Sequence, residues 1–197
     1  MGNAASASGT WFQNLAAALL IYRQTHSPFL LGVLTFANFV PVLVLAPWAG
    51  SVADRFDRRH IVFATQASSA ALSATLAVLV WLGLAPVWVV IVFGLGLGVG
   101  SAFGNTAAMA LVGDLVPRAD LGSAVALNSM TFNLARAIGP ALAGVSVHVL
   151  GIGASFAINS GSYLLLVIGV LVVRRPASRP RAARSETRVR DSLRLLR

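Results

Sequence analysis

The chain has 197 residues, 57% of them hydrophobic and 11% charged, with a formal net charge of +9 and a mean hydropathy of +0.80. Apolar side chains at that density exceed what a single soluble core uses, so the composition describes a membrane protein and excludes an ordinary soluble globular domain. Cysteine is absent, which excludes disulfides, thiolate metal sites and thiol nucleophiles, and lysine is absent too, so all 15 basic residues are arginine.

A hydrocarbon core about 30 Å thick takes about 20 helical residues to cross. Six apolar runs of that length are predicted, over Asn3–Tyr22, Phe29–Ala53, His60–Leu84, Val87–Val116, Leu121–Leu150 and Ala154–Val173. Turn chemistry separates them at Ser27-Pro28, Gly83-Leu84-Ala85-Pro86, Pro117-Arg118-Ala119-Asp120 and Gly151-Ile152-Gly153. The runs are continuous and long, which argues for helices and against the short alternating strands of a membrane barrel. The fold class is therefore all-α, a polytopic membrane protein with six transmembrane helices over residues 1–173, followed by a basic segment over 174–197.

No charged residue precedes Arg23, so the first run lacks the basic lead of a signal peptide and reads as a retained span. Met1-Gly2-Asn3-Ala4-Ala5-Ser6 matches the acylation pattern, but so short a pattern arises by chance in small-residue sequence, and a six-span chain gains nothing from an acyl anchor. Arg55, Arg58, Arg59, Arg118 and nine arginines from Arg174 onward fall on one side of the predicted spans, and Arg23 alone on the other. The positive-inside rule then puts both termini in the cytoplasm of a cell (inner or plasma) membrane protein, with outer loops near Thr25, Ala85 and Ile152.

The second and third spans are joined by Gly50-Ser51-Val52-Ala53-Asp54-Arg55-Phe56-Asp57-Arg58-Arg59. Composition alone reads this as a stop-transfer loop, with a carboxylate and guanidinium groups able to pair at the membrane surface. The glycine at Gly50 and its spacing to Asp54 point further: the stretch resembles the glycine-aspartate-arginine loop of major facilitator superfamily transporters. The resemblance continues in order through Gly9-Thr10-Trp11-Phe12-Gln13, Ser27-Pro28-Phe29-Leu30-Leu31-Gly32, Leu115-Val116-Pro117-Arg118-Ala119-Asp120-Leu121, Ala126-Leu127-Asn128-Ser129 and Asn133-Leu134-Ala135-Arg136-Ala137-Ile138-Gly139-Pro140-Ala141-Leu142-Ala143-Gly144. It is similar to the exporter branch that includes enterobactin exporters and transmembrane secretion effectors. The departure is at Gly104-Asn105-Thr106-Ala107-Ala108-Met109, where relatives carry a more polar pattern.

That resemblance implies half of a twelve-helix transporter, with the six helices arranged as a 3+3 inverted repeat. It implies a cytoplasmic gating loop at Gly50, Asp54, Arg55, Arg58 and Arg59, in which Asp54 meets the positive end of a helix in the other half. It also implies an exporter-like fifth-helix motif at Arg136, Gly139, Pro140 and Gly144. Trp11, Asn14, Asn38, Asn105, Asn128, Arg136 and Asn159 are the candidate residues of a substrate cavity, although interhelical hydrogen bonding would explain the asparagines equally well.

Physical chemistry singles out two further features. Gly94, Gly96, Gly98, Gly100 and Gly104 place small residues four apart on two adjoining faces of the fourth span, the spacing of close helix packing; a phosphate loop would need a preceding strand and a lysine. Arg136 falls within the fifth span, where an arginine costs about 2.5 to 3.5 kcal/mol on insertion scales, so it should face the bundle interior or a wet cavity. All six acidic residues, Asp54, Asp57, Asp114, Asp120, Glu186 and Asp191, lie at span ends or beyond them. Arg136 therefore has two open roles, structural hydrogen bonding to Asn133, Asn105 or carbonyls freed near Pro140, or contact with an anionic substrate.

His26, His60 and His148 are scattered without an acidic cluster, which argues against a histidine metal site, and no cofactor is expected. No nucleophile, base and orienter recur at workable spacing, so the chain does not read as an enzyme. The terminal arginines are explained by topology and by attraction to anionic lipid, with Val189, Leu193 and Leu196 on one face of an amphipathic helix, and not by nucleic acid. The expected function is export of small molecules such as drugs or siderophores by alternating access, the chain acting with a missing C-terminal half or as a homodimer. The alternative is a nontransporting membrane protein, a truncated product or a partner that binds other transporters through its glycine-rich faces.

Overall fold

The structure, a computed structural model, describes residues 2–115 and 120–172, without the side chains of 2–9, 112–115, 121, 124, 128 and 172. It contains α1 (Gly2–Thr25), α2 (Pro28–Arg55), α3 (Arg58–Trp81), α4 (Val87–Leu115), α5 (Leu121–Leu150) and α6 (Ile152–Val172). The expected amphipathic helix over the last residues and the carboxylate and arginine expected around Asp114 and Arg118 lie outside the described residues.

Helix boundaries follow local chemistry. Ser27 is extended and Pro28 takes the first helical position of α2, where its missing N–H breaks no bond. At the end of α3 the Leu84 N–H bonds the Leu79 carbonyl at 2.8 Å and the Gly83 N–H bonds Val80 at 3.1 Å. Gly83 has φ +70, so this is the left-handed glycine cap that satisfies the last carbonyls. Gly151, at φ +88, ends α5 and lets α6 begin at the next residue. The Gln24 amide donates to the Ala85 carbonyl at 2.9 Å, tying the end of α1 to the α3–α4 connection.

The charged loop, expected over 54–59 between the second and third spans, is shorter in the structure. Asp54 and Arg55 complete the last turn of α2, Arg58 and Arg59 open α3, and only Phe56 and Asp57 link them. Asp57 caps α3, its carboxylate accepting the Arg59 N–H at 2.9 Å, which supplies the helix start that a longer loop would have delayed.

The helices pair selectively. α2 packs on α4, α4 on α3, α3 on α6, α6 on α1 and α1 on α5, with only slight contact between α2 and α3. The largest buried cluster gathers Ile21, Leu76, Val90 and Phe156 at the end away from Arg58 and Arg59. Among the described residues four helices, α2, α3, α4 and α6, are long and apolar enough to cross a membrane, which makes the chain an all-α polytopic membrane protein. Of these four α2 is covered least, with Phe36, Phe39, Leu43 and Trp48 all exposed.

The glycines of α4 do what their spacing predicts. A Cβ at Gly94 would meet Leu34 and Asn38 of α2, and one at Gly98 would lie 2.5 Å from the Asn38 carbonyl oxygen. Gly96, Gly100 and Gly104 instead face Leu72, Ser69 and Thr65 of α3. One face of α4 thus receives α2 and the adjoining face receives α3.

Candidate functional site

At the end that carries Arg58 and Arg59, the two guanidinium groups tie together carbonyls of three helices, capping α2 and α6. Arg58 donates through Nε to Ala53 O at 3.3 Å in the last turns of α2 and through Nη1 to Ala110 O at 3.2 Å near the end of α4. Its Nη2 also lies 3.5 Å from the Asp54 carboxylate, a pair that adds little because Asp54 is 70% exposed. Arg59 donates to the carbonyls of Val170 and Leu171 in the final turn of α6, at 2.9 Å to Leu171. Carbonyls at a helix C-terminus lack intrahelical donors and carry partial negative charge, so a guanidinium there is favourable for both reasons.

Gly50 and Arg55 differ from these two. A Cβ at Gly50 would meet nothing within 4 Å, and Arg55 is exposed. Within this chain the loop's arginines divide: Arg58 and Arg59 hold the bundle, while Gly50 and Arg55 face outward. Replacing Arg59 with glutamine is expected to speed amide hydrogen exchange in the last turn of α6 by about two- to fivefold, corresponding to roughly 0.3–1 kcal/mol at a helix end, while the middle of α6 is unchanged. Mass-spectrometric exchange on the protein in nanodiscs measures this.

The fifth-helix residues fall on different sides of α5. Gly139 is buried, and a Cβ there would lie 2.8 Å from Trp11 Cβ, so Trp11 of α1 sits directly on it. Gly144 lies near Leu15, one turn from Trp11 along α1. This brings together Trp11, expected in the cavity, and Gly139, expected in the motif, as a single α1–α5 seam. Arg136 and Pro140 are exposed beside that seam.

Arg136 lies midway along α5. None of the described residues hydrogen-bonds or ion-pairs with it, so the partners expected for a structural role, Asn133, Asn105 and freed carbonyls, do not take it up. Asn133 bonds its own helix instead, donating to Ser129 O at 2.9 Å.

The asparagines separate into two groups. Asn14 and Asn105 are exposed, on α1 and α4, and Asn38 is half-buried at the α2–α4 seam, its amide donating to Leu34 O at 3.0 Å. The side chain of Asn128 lies outside the described residues. Asn159 is fully buried. Its Nδ2 donates to Gln13 Oε1, which also accepts the Ser73 hydroxyl at 2.6 Å. The Ser162 hydroxyl closes on Asn159 O and Oδ1 at 2.7 and 3.1 Å. This knot joins α1, α3 and α6, and in a low-dielectric interior such polar groups are stable only when bonded to one another. Gln13, Ser73 and Ser162 were not among the expected site residues. The available signal was polar residues inside apolar runs, and it gives no partner.

The family model described as transmembrane secretion effector matches residues 1–197. The staphyloferrin A transporter of Staphylococcus aureus is 30% identical over 161 residues, covering 81% of this chain and 41% of that protein. An uncharacterized MFS-type transporter of Bacillus subtilis is 32% identical over 176 residues, covering 87% and 40%. Macrolide efflux protein A of Streptococcus pyogenes is 26% identical over 175 residues, covering 89% and 43%. The chain therefore spans well under half the length of these curated relatives.

Proposed function

Because the chain belongs to the transmembrane secretion effector family of major facilitator transporters, we propose that it forms the first six-helix half of an exporter working by alternating access. All six helices span the membrane in this reading, both termini are cytoplasmic, and the second half supplies the other wall of the path. It is a transport protein and not an enzyme. Its substrates are small molecules, drugs or siderophores among them, as the names of the staphyloferrin A and macrolide relatives suggest.

One observation carries the reading, the pattern of helix contacts. α2 packs on α4 as α5 packs on α1, α4 on α3 as α1 on α6, and α3 and α6 pack on each other. Exchanging the first three helices for the last three leaves that pattern unchanged, which supports a 3+3 repeat. α3 and α6 form its centre, and α2 and α5 lie at its two ends with their outer faces open. The alternative, a partner that binds other transporters through glycine faces, is disfavoured because those faces of α4 already receive α2 and α3.

The absence of native cysteine makes a direct test possible. Single cysteines at Ser27 and at the exposed Leu84 are expected to react with a membrane-impermeant maleimide on intact cells, and one at Phe56 only after the cells are opened. Labelling at Phe56 on intact cells would overturn the orientation. Export is tested by erythromycin accumulation in cells expressing the chain with the second half of a macrolide-exporting relative. Lower accumulation than with either half alone is expected, and no difference, with both halves inserted, would count against the reading.

A further inference from the structure

We propose that Arg136 is the recognition residue for a carboxylate on those transported molecules that carry one; this rests on the transporter reading above. The argument starts from the faces of α5. Ala135, Gly139 and Ala143 are buried and define its seam. On one side of that seam run Leu134, Ile138, Leu142 and Val145, large aliphatic residues that are all exposed. On the other run Ser129, Asn133, Arg136 and Pro140, also exposed and spaced as successive turns of one helical face.

A helix with one exposed aliphatic stripe and one exposed polar stripe distinguishes two environments. The aliphatic stripe suits lipid, and the polar stripe suits water or a polar ligand. Arg136 is the charged group of that polar stripe, and it has no ion-pair or hydrogen-bond partner among the described residues. A planar five-donor fork with a full positive charge matches a carboxylate in two parallel hydrogen bonds. One guanidinium balances one negative charge. Among the described residues no second cation lies on that stripe, so a singly charged carboxylate fits better than a phosphate dianion.

Trp11 provides a local reporter, since it packs on Gly139, one turn from Arg136. The full chain carrying Trp48→Phe, Trp81→Phe and Trp88→Phe, held in nanodiscs of neutral lipid, would be titrated with benzoate and with its neutral counterpart benzamide while Trp11 fluorescence is read. Benzoate is expected to bind about tenfold more tightly, the worth of one charge-assisted contact. Arg136→Gln is expected to abolish that preference and Arg136→Lys to keep part of it. Equal affinity for the two probes, or a benzoate preference that survives Arg136→Gln, would overturn the proposal and leave Arg136 to a carboxylate elsewhere in the assembled transporter. Failure of the transporter reading shows separately, as lack of erythromycin export, because benzoate binding requires no flux.

Discussion

Alanine at Gly98 is expected to destabilise the bundle by about 1–3 kcal/mol, the usual range for overpacking a close-fitted core. The added Cβ would lie 2.5 Å from the Asn38 carbonyl oxygen, 3.0 Å from Pro41 Cγ and 3.2 Å from the Ala37 carbonyl oxygen. Two of those three atoms are backbone, so no side-chain rotation relieves the contact and α2 must withdraw from α4. Gly94→Ala is milder, because its first contact is the flexible Leu34 side chain at 3.2 Å. Gly50→Ala serves as the control. With nothing within 4 Å of its Cβ, it should leave stability unchanged or raise it by roughly 0.4–1 kcal/mol through the unfolded state. Unfolding in mixed micelles, followed by circular dichroism, orders the three variants. If Gly98→Ala unfolds at the same midpoint as Gly50→Ala, the close approach of α2 and α4 is wrong.

The same pair of glycines shows which parts of the architecture could be read from sequence. Gly94 to Gly104 recur at a spacing that forces close packing whatever the neighbours are, so two packing faces were predictable without knowing that α2 and α3 would fill them. Helix positions were equally legible, because apolar runs bounded by Pro28, Gly83 and Gly151 leave the backbone few other solutions in lipid. The charged stretch was legible as a boundary but not in its division of labour. The bonds of Arg58 and Arg59 depend on where α6 ends and on how close α4 lies, which are tertiary facts. Asn159 shows the other limit. A polar residue inside an apolar run must find partners, and sequence cannot say whether those partners are water in a cavity or Gln13 and Ser73 two helices away. Arg136 was legible as an anomaly, and the fold adds only the face on which it stands.

Leucine at Gln13 is expected to be the most damaging isosteric change on α1. Gln13 Oε1 accepts from both Ser73 and Asn159, and removing it leaves the Asn159 amide with only the Ser73 oxygen at 3.5 Å. Stranding a buried donor costs about 1–3 kcal/mol in proteins generally, whereas interhelical bonds measured in membranes average nearer 0.6, so a loss of about 1–2 kcal/mol is expected here. The sharper expectation concerns the pair. Asn159→Leu removes the stranded donor, so the double variant should lose less than the sum of the singles, with a coupling of at least about 0.5 kcal/mol. The same unfolding measurement supplies the cycle, and strict additivity would show that the knot does not act as a unit. Its consequence reaches the open face. Gln13 fixes the rotation of α1 against α3 and α6, and that rotation turns Trp11 toward Gly139 and leaves Asn14 exposed. A variant without the knot should therefore loosen the Trp11–Gly139 seam, and with it the placement of Arg136, without any change to α5 itself.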